Sequence, residues 1–328
     1  MSYKWSAKTS SKEKPLSHLP FSGVITALIT PFNNEGNLDL PAFNDFLKYQ
    51  KKSGVHGVVI LGTTGENVAL SEEESEQLVL SALDHQTDHF HIYVGTGTNS
   101  TQTTIIKSMK YAQMKSSTGQ LAKGVMVVTP YYNRPSQNGL IKHYEEVAKS
   151  ISDTPICIYN VPSRTGVNLL PQTLVQISLE NKNIVAIKEA AGNVNAVAEM
   201  RIALNHVGKQ NFKILSGDDA TYVPALMCGA EGVISVTSNV IPKAMLDILD
   251  NFKKGDLSSV QKLHLAAFCI NNGLFSVPNP IGVKWILSHL RICGTNLRAP
   301  LYPASDKEAE MLKGILFQLE KNNIKILT

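Results

Sequence analysis

The sequence predicts an α/β protein folded as a (β/α)₈ TIM barrel with a C-terminal helical appendage, and three observations carry that prediction. Between residues 23 and 240, eight short apolar, β-rich runs alternate with segments of helical periodicity. The runs are apolar throughout rather than alternating, as expected of parallel strands buried on both faces. At 328 residues, the chain has the length of one such barrel with something added.

Taken in order, the first strand spans 24–29 and stops at Thr30-Pro31, and a helical period follows over 40–52. The second strand, 55–61, ends in glycine, and the helix predicted over 72–83 opens on a capping box, Ser71 with Glu74 three residues on. Strands at 91–95, 124–128, 156–159, 184–188, 212–215 and 232–236 complete the set, with helices at 101–113, 139–150, 170–179, 195–205 and 220–228 between them. A doubly wound sheet is the competing architecture. Its marker is a G-x-G-x-x-G turn after the first strand, but this first strand runs straight into Pro31, and Gly95-Thr96-Gly97-Thr98-Asn99-Ser100 lacks the last glycine. Beyond about residue 240 the strand signals stop, and helices are expected over 244–254, 257–271, 281–290 and 305–320. The expected organisation is a disordered basic tail over 1–20, a catalytic barrel over 21–240 and a helical domain over 241–328.

Composition narrows the function classes. Hydrophobic residues make up 43% and charged residues 18%, and no apolar run approaches the roughly 20 residues of a membrane span. The formal charge is +4, of which the first 20 residues supply +3 through Lys4, Lys8, Lys12 and Lys14 against Glu13. The remainder is close to neutral and offers no concentrated basic face, which argues against nucleic acid as a partner. Cys157, Cys228, Cys269 and Cys293 are scattered with no C-x-x-C pair, predicting free thiols in a reducing compartment. The N-terminal segment has neither an apolar signal core nor arginine, so a cytoplasmic protein is expected.

In such a barrel, chemistry belongs at the C-terminal ends of the strands. Strand six closes the run Ile184-Val185-Ala186-Ile187 with Lys188 and Glu189. A lysine that loses hydration in an apolar site serves readily as a general base or forms a Schiff base with a carbonyl; a strand-end lysine reaching out to solvent is the plainer alternative. At the same rim lie Gly62-Thr63-Thr64-Gly65-Glu66, Thr129-Pro130-Tyr131-Tyr132-Asn133-Arg134-Pro135, Tyr159-Asn160 and Ser216-Gly217-Asp218-Asp219. Gly62 and Gly65 flank two hydroxyls and could cradle a carboxylate, or simply make a tight turn. Tyr159 is suited to shuttle protons beside an imine, or is a core tyrosine. Arg164, in a Pro/Gly turn, could clamp a carboxylate through both ends of its guanidinium, or could face solvent. His85, Asp88, His89 and His91 cluster at the opposite rim, where a solvated turn is expected rather than a metal site. Asp218 and Asp219 could bind a cation, but capping the next helix is the simpler reading. No nucleotide loop, serine elbow or zinc motif occurs in the sequence, so cofactor-free, metal-free chemistry is expected.

Together with Pro162-Ser163-Arg164-Thr165-Gly166, Ile187-Lys188-Glu189-Ala190 and Gly232-Val233-Ile234-Ser235-Val236, these motifs resemble the dihydrodipicolinate synthase / N-acetylneuraminate lyase family over about 22–302. The resemblance implies that Lys188 forms a Schiff base with pyruvate and that the enamine attacks L-aspartate 4-semialdehyde. It further implies a proton relay of Thr63, Tyr159 and Tyr132, with Tyr132 reaching into a neighbouring subunit's site. Thr64 and backbone groups near Gly217 and Ile234 would hold pyruvate, and Arg164 the semialdehyde carboxylate. A homotetramer built as a dimer of dimers is implied by the shared tyrosine. The rivals are pyruvate lyases and aldolases of the same family, acting on N-acetylneuraminate or 4-hydroxy-2-oxoglutarate, which generally lack an arginine in the Pro162-Ser163-Arg164 turn. A non-catalytic barrel would be expected to lose some of Lys188, Tyr159, Thr63 and Tyr132, and all four are present.

The sequence departs from the family at the feedback site for lysine. Asn99 and Tyr131 match, but Thr103 stands where lysine-inhibited members carry glutamate, and Glu72 where some carry histidine. Gly282 replaces a common proline. Without its carboxylate partner a cationic effector binds weakly. L-lysine is therefore expected to inhibit poorly; micromolar inhibition in a steady-state assay would contradict this.

Overall fold

Residues 20–326 are described by a computed structural model. Eight parallel strands close into a barrel in sequence order, with the last strand paired to the first. They are β1 (Gly23–Ala27), β2 (Gly57–Ile60), β3 (His91–Gly95), β4 (Gly124–Val128), β5 (Ile156–Asn160), β6 (Ile184–Glu189), β7 (Lys213–Ser216) and β8 (Gly232–Ser235). Around them run α1 (Leu40–Lys52), α2 (Glu72–Leu83), α3 (Thr101–Gln113), α4 (Gln137–Ser150), α5 (Pro162–Thr165), α6 (Pro171–Glu180), α7 (Val194–His206), α8 (Tyr222–Met227) and α9 (Pro242–Lys254). The expected barrel is thus the observed fold. Helices α10 (Leu257–Gly273), α11 (Ile281–His289) and α12 (Asp306–Lys321) form the C-terminal appendage, α12 packing on both α10 and α11. Helix α9 packs on β1 as well as on α10 and so joins the two layers. The tail expected over 1–20 lies, apart from Pro20, outside the described residues.

Where elements differ from expectation, the local cause is visible. Strand β2 stops at Ile60 because Leu61 adopts φ 52°, a left-handed conformation that cannot extend a strand. Helix α4 begins two residues before the predicted start, where the Ser136 hydroxyl accepts the Gly139 N–H at 3.2 Å. The single turn α5 is too short to leave a periodic signal. It is bounded by Pro162 at its first position and by Gly166 at φ 72°, the left-handed conformation that ends helices.

The strands read as continuous apolar runs because both faces are covered, by side chains inside the barrel and by the helical shell outside. Toward the N-terminal end, Phe21 stacks on Tyr93 with centroids 4.1 Å apart, and the Tyr93 hydroxyl accepts the Phe21 N–H at 2.8 Å. The opposite end is left open to the βα loops.

Among buried polar groups in the shell, His143 on α4 touches the Thr101 hydroxyl through Nδ1 at 2.9 Å. Burial pushes its pKa from the ordinary 6.5 down to about 4. The unfolded chain therefore takes up this proton first, and the stability that neutral His143 supplies is complete above pH 6.5 and lost as the pH falls toward about 4. That loss should reach on the order of 3 kcal/mol. A His143→Gln variant should show a flatter decline of unfolding temperature across this window; parallel curves would contradict the assignment.

Candidate active site

Lysine 188 occupies the C-terminal end of β6 and is only 5% exposed. Strand register sets it beside Tyr159 of β5, and its Nζ lies 4.2 Å from the centre of that ring. Among the described residues no carboxylate forms an ion pair with it. Gly217, at the end of β7, explains how the stem fits. A Cβ there would lie 3.0 Å from both Cγ and Cε of Lys188 and 2.6 Å from Ala190 Cβ. A side chain at 217 would displace the lysine.

A cavity of about 300 Å³ opens over Lys188 and is lined by Thr63, Thr64, Tyr159, Arg164, Gly217 and Asp218 among others. A second chamber of about 340 Å³ continues outward past Tyr131 and shares Thr63, Tyr159, Arg164 and Asn279 with the first. Thr63 and Thr64 open a short 3-10 turn, Thr63–Gly65, whose own bonds start from Gly65 and Glu66 and leave the two threonine N–H groups unused. The Thr64 hydroxyl accepts the side-chain amide of Asn279 at 3.0 Å, which leaves its proton free to donate. Donors not spent within the protein are therefore gathered at this turn. Arg164 hangs from α5 at the mouth.

Two of the expected site residues stand apart. Ile234 is fully buried in the β1–β8 ladder and does not line either cavity; Val236, two residues on, does. Tyr132 is 89% exposed, with φ 69°, and lines neither chamber of its own chain. Gly217 and Val236 also spend their N–H groups elsewhere, on the carbonyl of Glu189 at 2.7 Å and on Asp219 at 2.9 Å.

Sequence reasoning missed the residues that hold the rim in shape. Asp219 does not cap the following helix. It is buried and accepts the N–H groups of Val236 and Thr237, both at 2.9 Å, stapling the β7 loop to the β8 loop. Burial raises its carboxyl, opposed by those hydrogen bonds. Asp218 instead braces its own turn through Ala220 N–H and the Thr221 hydroxyl. Glu66, at φ 53°, forms a fully buried ion pair with Lys284 of α11 at 2.5 Å, and its other oxygen accepts the Arg298 N–H at 2.9 Å. Lys284 also donates to the Asn296 carbonyl at 2.8 Å and lies 4.2 Å from the Phe32 ring centre. Nothing local to Asn279 gave its partner Thr64, more than 200 residues away in sequence.

At the opposite rim His91 is buried, bonded to Tyr93 and to the Asp88 carbonyl, while His85 contacts Asn44; the expected solvated turn is thus partly interior. No group of three or more His, Cys, Asp or Glu is placed to hold a metal ion among the described residues. Glu72 is engaged by Lys110 of α3, and Thr103 lies on the exposed first turn of that helix.

The fold and the site define a (β/α)₈-barrel enzyme whose centre is a buried lysine flanked by a phenol and a threonine turn. A model of the Dihydrodipicolinate synthetase family matches residues 20–319, and the chain belongs to that family. It is 41% identical to the 4-hydroxy-tetrahydrodipicolinate synthase of Thermotoga neapolitana over 296 residues, covering 90% of this chain and 98% of the relative. The crystal structure of dihydrodipicolinate synthase from Thermotoga maritima superposes with a TM-score of 0.86 at 38% identity, covering 93% of this chain and 99% of that one. A structure described as the first monomeric dihydrodipicolinate synthase variant matches with TM-score 0.86 and 38% identity over 93% of this chain and 98% of that one.

The Glu66–Lys284 pair ties the threonine turn to the helical appendage, so its loss should be felt in both. Lys284→Met strands a buried carboxylate and should lower unfolding free energy by about 3–5 kcal/mol. Retention of parental stability in denaturant melts would contradict this role.

Proposed function

We propose that this chain is a 4-hydroxy-tetrahydrodipicolinate synthase that condenses pyruvate with L-aspartate 4-semialdehyde through an imine on Lys188, the first committed step toward diaminopimelate and lysine. The observation that carries the reading is the buried lysine, in no ion pair among the described residues, against Tyr159 in a cavity that also holds a threonine turn and an arginine.

The pyruvate carboxylate is received by the Thr63 and Thr64 N–H groups and the Thr64 hydroxyl, whose acceptor side is already taken by Asn279. The neutral amine of Lys188 adds to the C2 carbonyl, and the carbinolamine loses water to give the iminium. The Tyr159 phenol, relayed through Thr63 and Tyr132, supplies and removes the protons of these steps. Loss of a C3 proton gives the enamine, which forms a C–C bond to the aldehyde carbon while Arg164 holds the semialdehyde carboxylate. The substrate amine then attacks the imine carbon, closing the ring and expelling Lys188. No cofactor enters these steps.

The position of Tyr132 supports a shared site. A tyrosine 89% exposed in its own chain, on a rim segment braced by Asn133 on the Asn99 carbonyl at 2.9 Å, supports the reading that Tyr132 serves a second copy's chamber. We read the working form as a homotetramer, a dimer of dimers. All four cysteines are free thiols, which supports a reducing, cytoplasmic setting. Arg164 at the mouth favours the semialdehyde over the aldehydes of the related lyases.

Borohydride reduction in the presence of pyruvate should attach one reduced pyruvate to Lys188, read by intact and peptide mass analysis. Tyr159→Phe should lower kcat on the order of 10²-fold while leaving the adduct at Lys188. A folded protein that acquires no adduct would overturn the mechanism.

A further inference from the structure

Glu189 follows the central lysine on β6, so strand alternation sends its side chain to the face opposite Lys188. It is buried there, and both of its oxygens are occupied. Oε1 accepts the N–H of Ala191 at 2.8 Å, and Oε2 accepts the side-chain amide of Asn160 at 2.8 Å. Its main-chain carbonyl accepts the N–H of Gly217, the residue against which the lysine stem lies. One glutamate thereby touches three consecutive βα loops.

Asn160, at the end of β5, is saturated as well. Its other amide hydrogen goes to Asn168 Oδ1 at 2.8 Å, and its side-chain oxygen accepts the Leu169 N–H at 3.0 Å. The segment 161–168 is in this way drawn closed at its base, and it carries Arg164. Its outer side is held separately, by Arg134 on the Gly166 carbonyl at 3.0 Å and Gln137 on the Asn168 carbonyl at 2.8 Å. The Glu189 carboxylate thus links the base of the arginine loop to the lysine strand, beside the main-chain bond from the Ala190 N–H to the Asn160 carbonyl at 2.9 Å.

We propose that Glu189 is a positioning residue for the second substrate: its carboxylate fixes the closed loop bearing Arg164 relative to Lys188, so that the enamine and the bound aldehyde meet at bonding distance. This rests on the assignment of Arg164 to the aldehyde's carboxylate. A glutamine at 189 has the same shape but must turn its amide toward either Asn160 or the Ala191 N–H, donor against donor. One anchor of the loop is lost while the groups lining the pyruvate end are unchanged. Imine formation and aldehyde capture should then separate, because only the second depends on the spacing between Lys188 and Arg164.

The test uses the full chain carrying Glu189→Gln and, separately, Asn168→Ala, an exposed residue whose removal breaks the same clamp from the loop side. In both, borohydride trapping of pyruvate on Lys188 should stay within roughly twofold of the parental protein, while KM for the semialdehyde rises roughly tenfold and kcat changes less. Amide hydrogen exchange over 161–169 should quicken in both variants without any substrate. Parental KM and parental exchange in both variants would overturn the proposal. Equal losses of pyruvate trapping and of turnover in Glu189→Gln would also overturn it, by making Glu189 a support of the lysine itself. Absence of trapping in the parental protein would instead overturn the imine reading, while the exchange rates report on the clamp independently.

Discussion

The contact on which the site depends is the packing of the Lys188 stem against the bare backbone of Gly217 on one side and the Tyr159 ring on the other. A lysine amine removed from water loses hydration that a nearby carboxylate would ordinarily replace. Here the replacement is a ring face, which attracts a cation but holds no proton and forms no ion pair. The amine is confined without being neutralised by a partner, and its direction is set by steric walls on adjacent strands. The register pairing Tyr159 with Lys188, and Lys188 with Leu215 next to Ser216 and Gly217, puts those walls in place before any loop is considered.

Walls at the ends of strands are only as firm as the loops that leave them. Three buried carboxylates hold those loops, each accepting at least one main-chain N–H. Glu66 joins the threonine turn to Lys284 and Arg298 of the appendage, Glu189 joins the β6 loop to the β5 loop, and Asp219 joins the β7 loop to the β8 loop. Burial raises the carboxyls of Glu189 and Asp219, and the N–H groups they accept oppose that rise. A carboxylate in such a place is costly unless its oxygens are filled; Glu66 and Glu189 have both oxygens bonded, while Asp219 takes two donors on one oxygen and none on the other. The helical appendage therefore reaches the chemistry in two ways, through Asn279 on the Thr64 hydroxyl and through Lys284 on Glu66.

Much of this was legible in the chain. Period and composition located all eight strands and the longer helices, and the strand ends pointed to Lys188, Tyr159, Thr63, Thr64, Arg164 and Gly217, which the barrel brings to one mouth. The carboxylates that escaped share a cause. Asp219 looked like a helix cap because capping is decided within three residues, whereas its partners are 17 and 18 residues away. Glu66 was read only as part of a glycine-rich motif, since its partner Lys284 lies 218 residues further on in an unremarkable helix. Helix α5 was missed because four residues cannot show a period. Tyr132 was singled out through resemblance, and the single chain leaves it facing outward.

By itself the sequence determined the order and type of the elements, because strand and helix periods and turn chemistry act over a few residues and need no partner. It also determined which reactive side chains stand at strand ends, since the alternation of a strand and the direction of a parallel barrel fix that geometry in advance. Only the tertiary structure decided how those side chains are held: which glycine makes room for the lysine, which carboxylates close the loops, and how the appendage supports the threonine turn. Those choices rest on burial and on hydrogen bonds between residues far apart in the chain, and distance along a sequence carries no record of them.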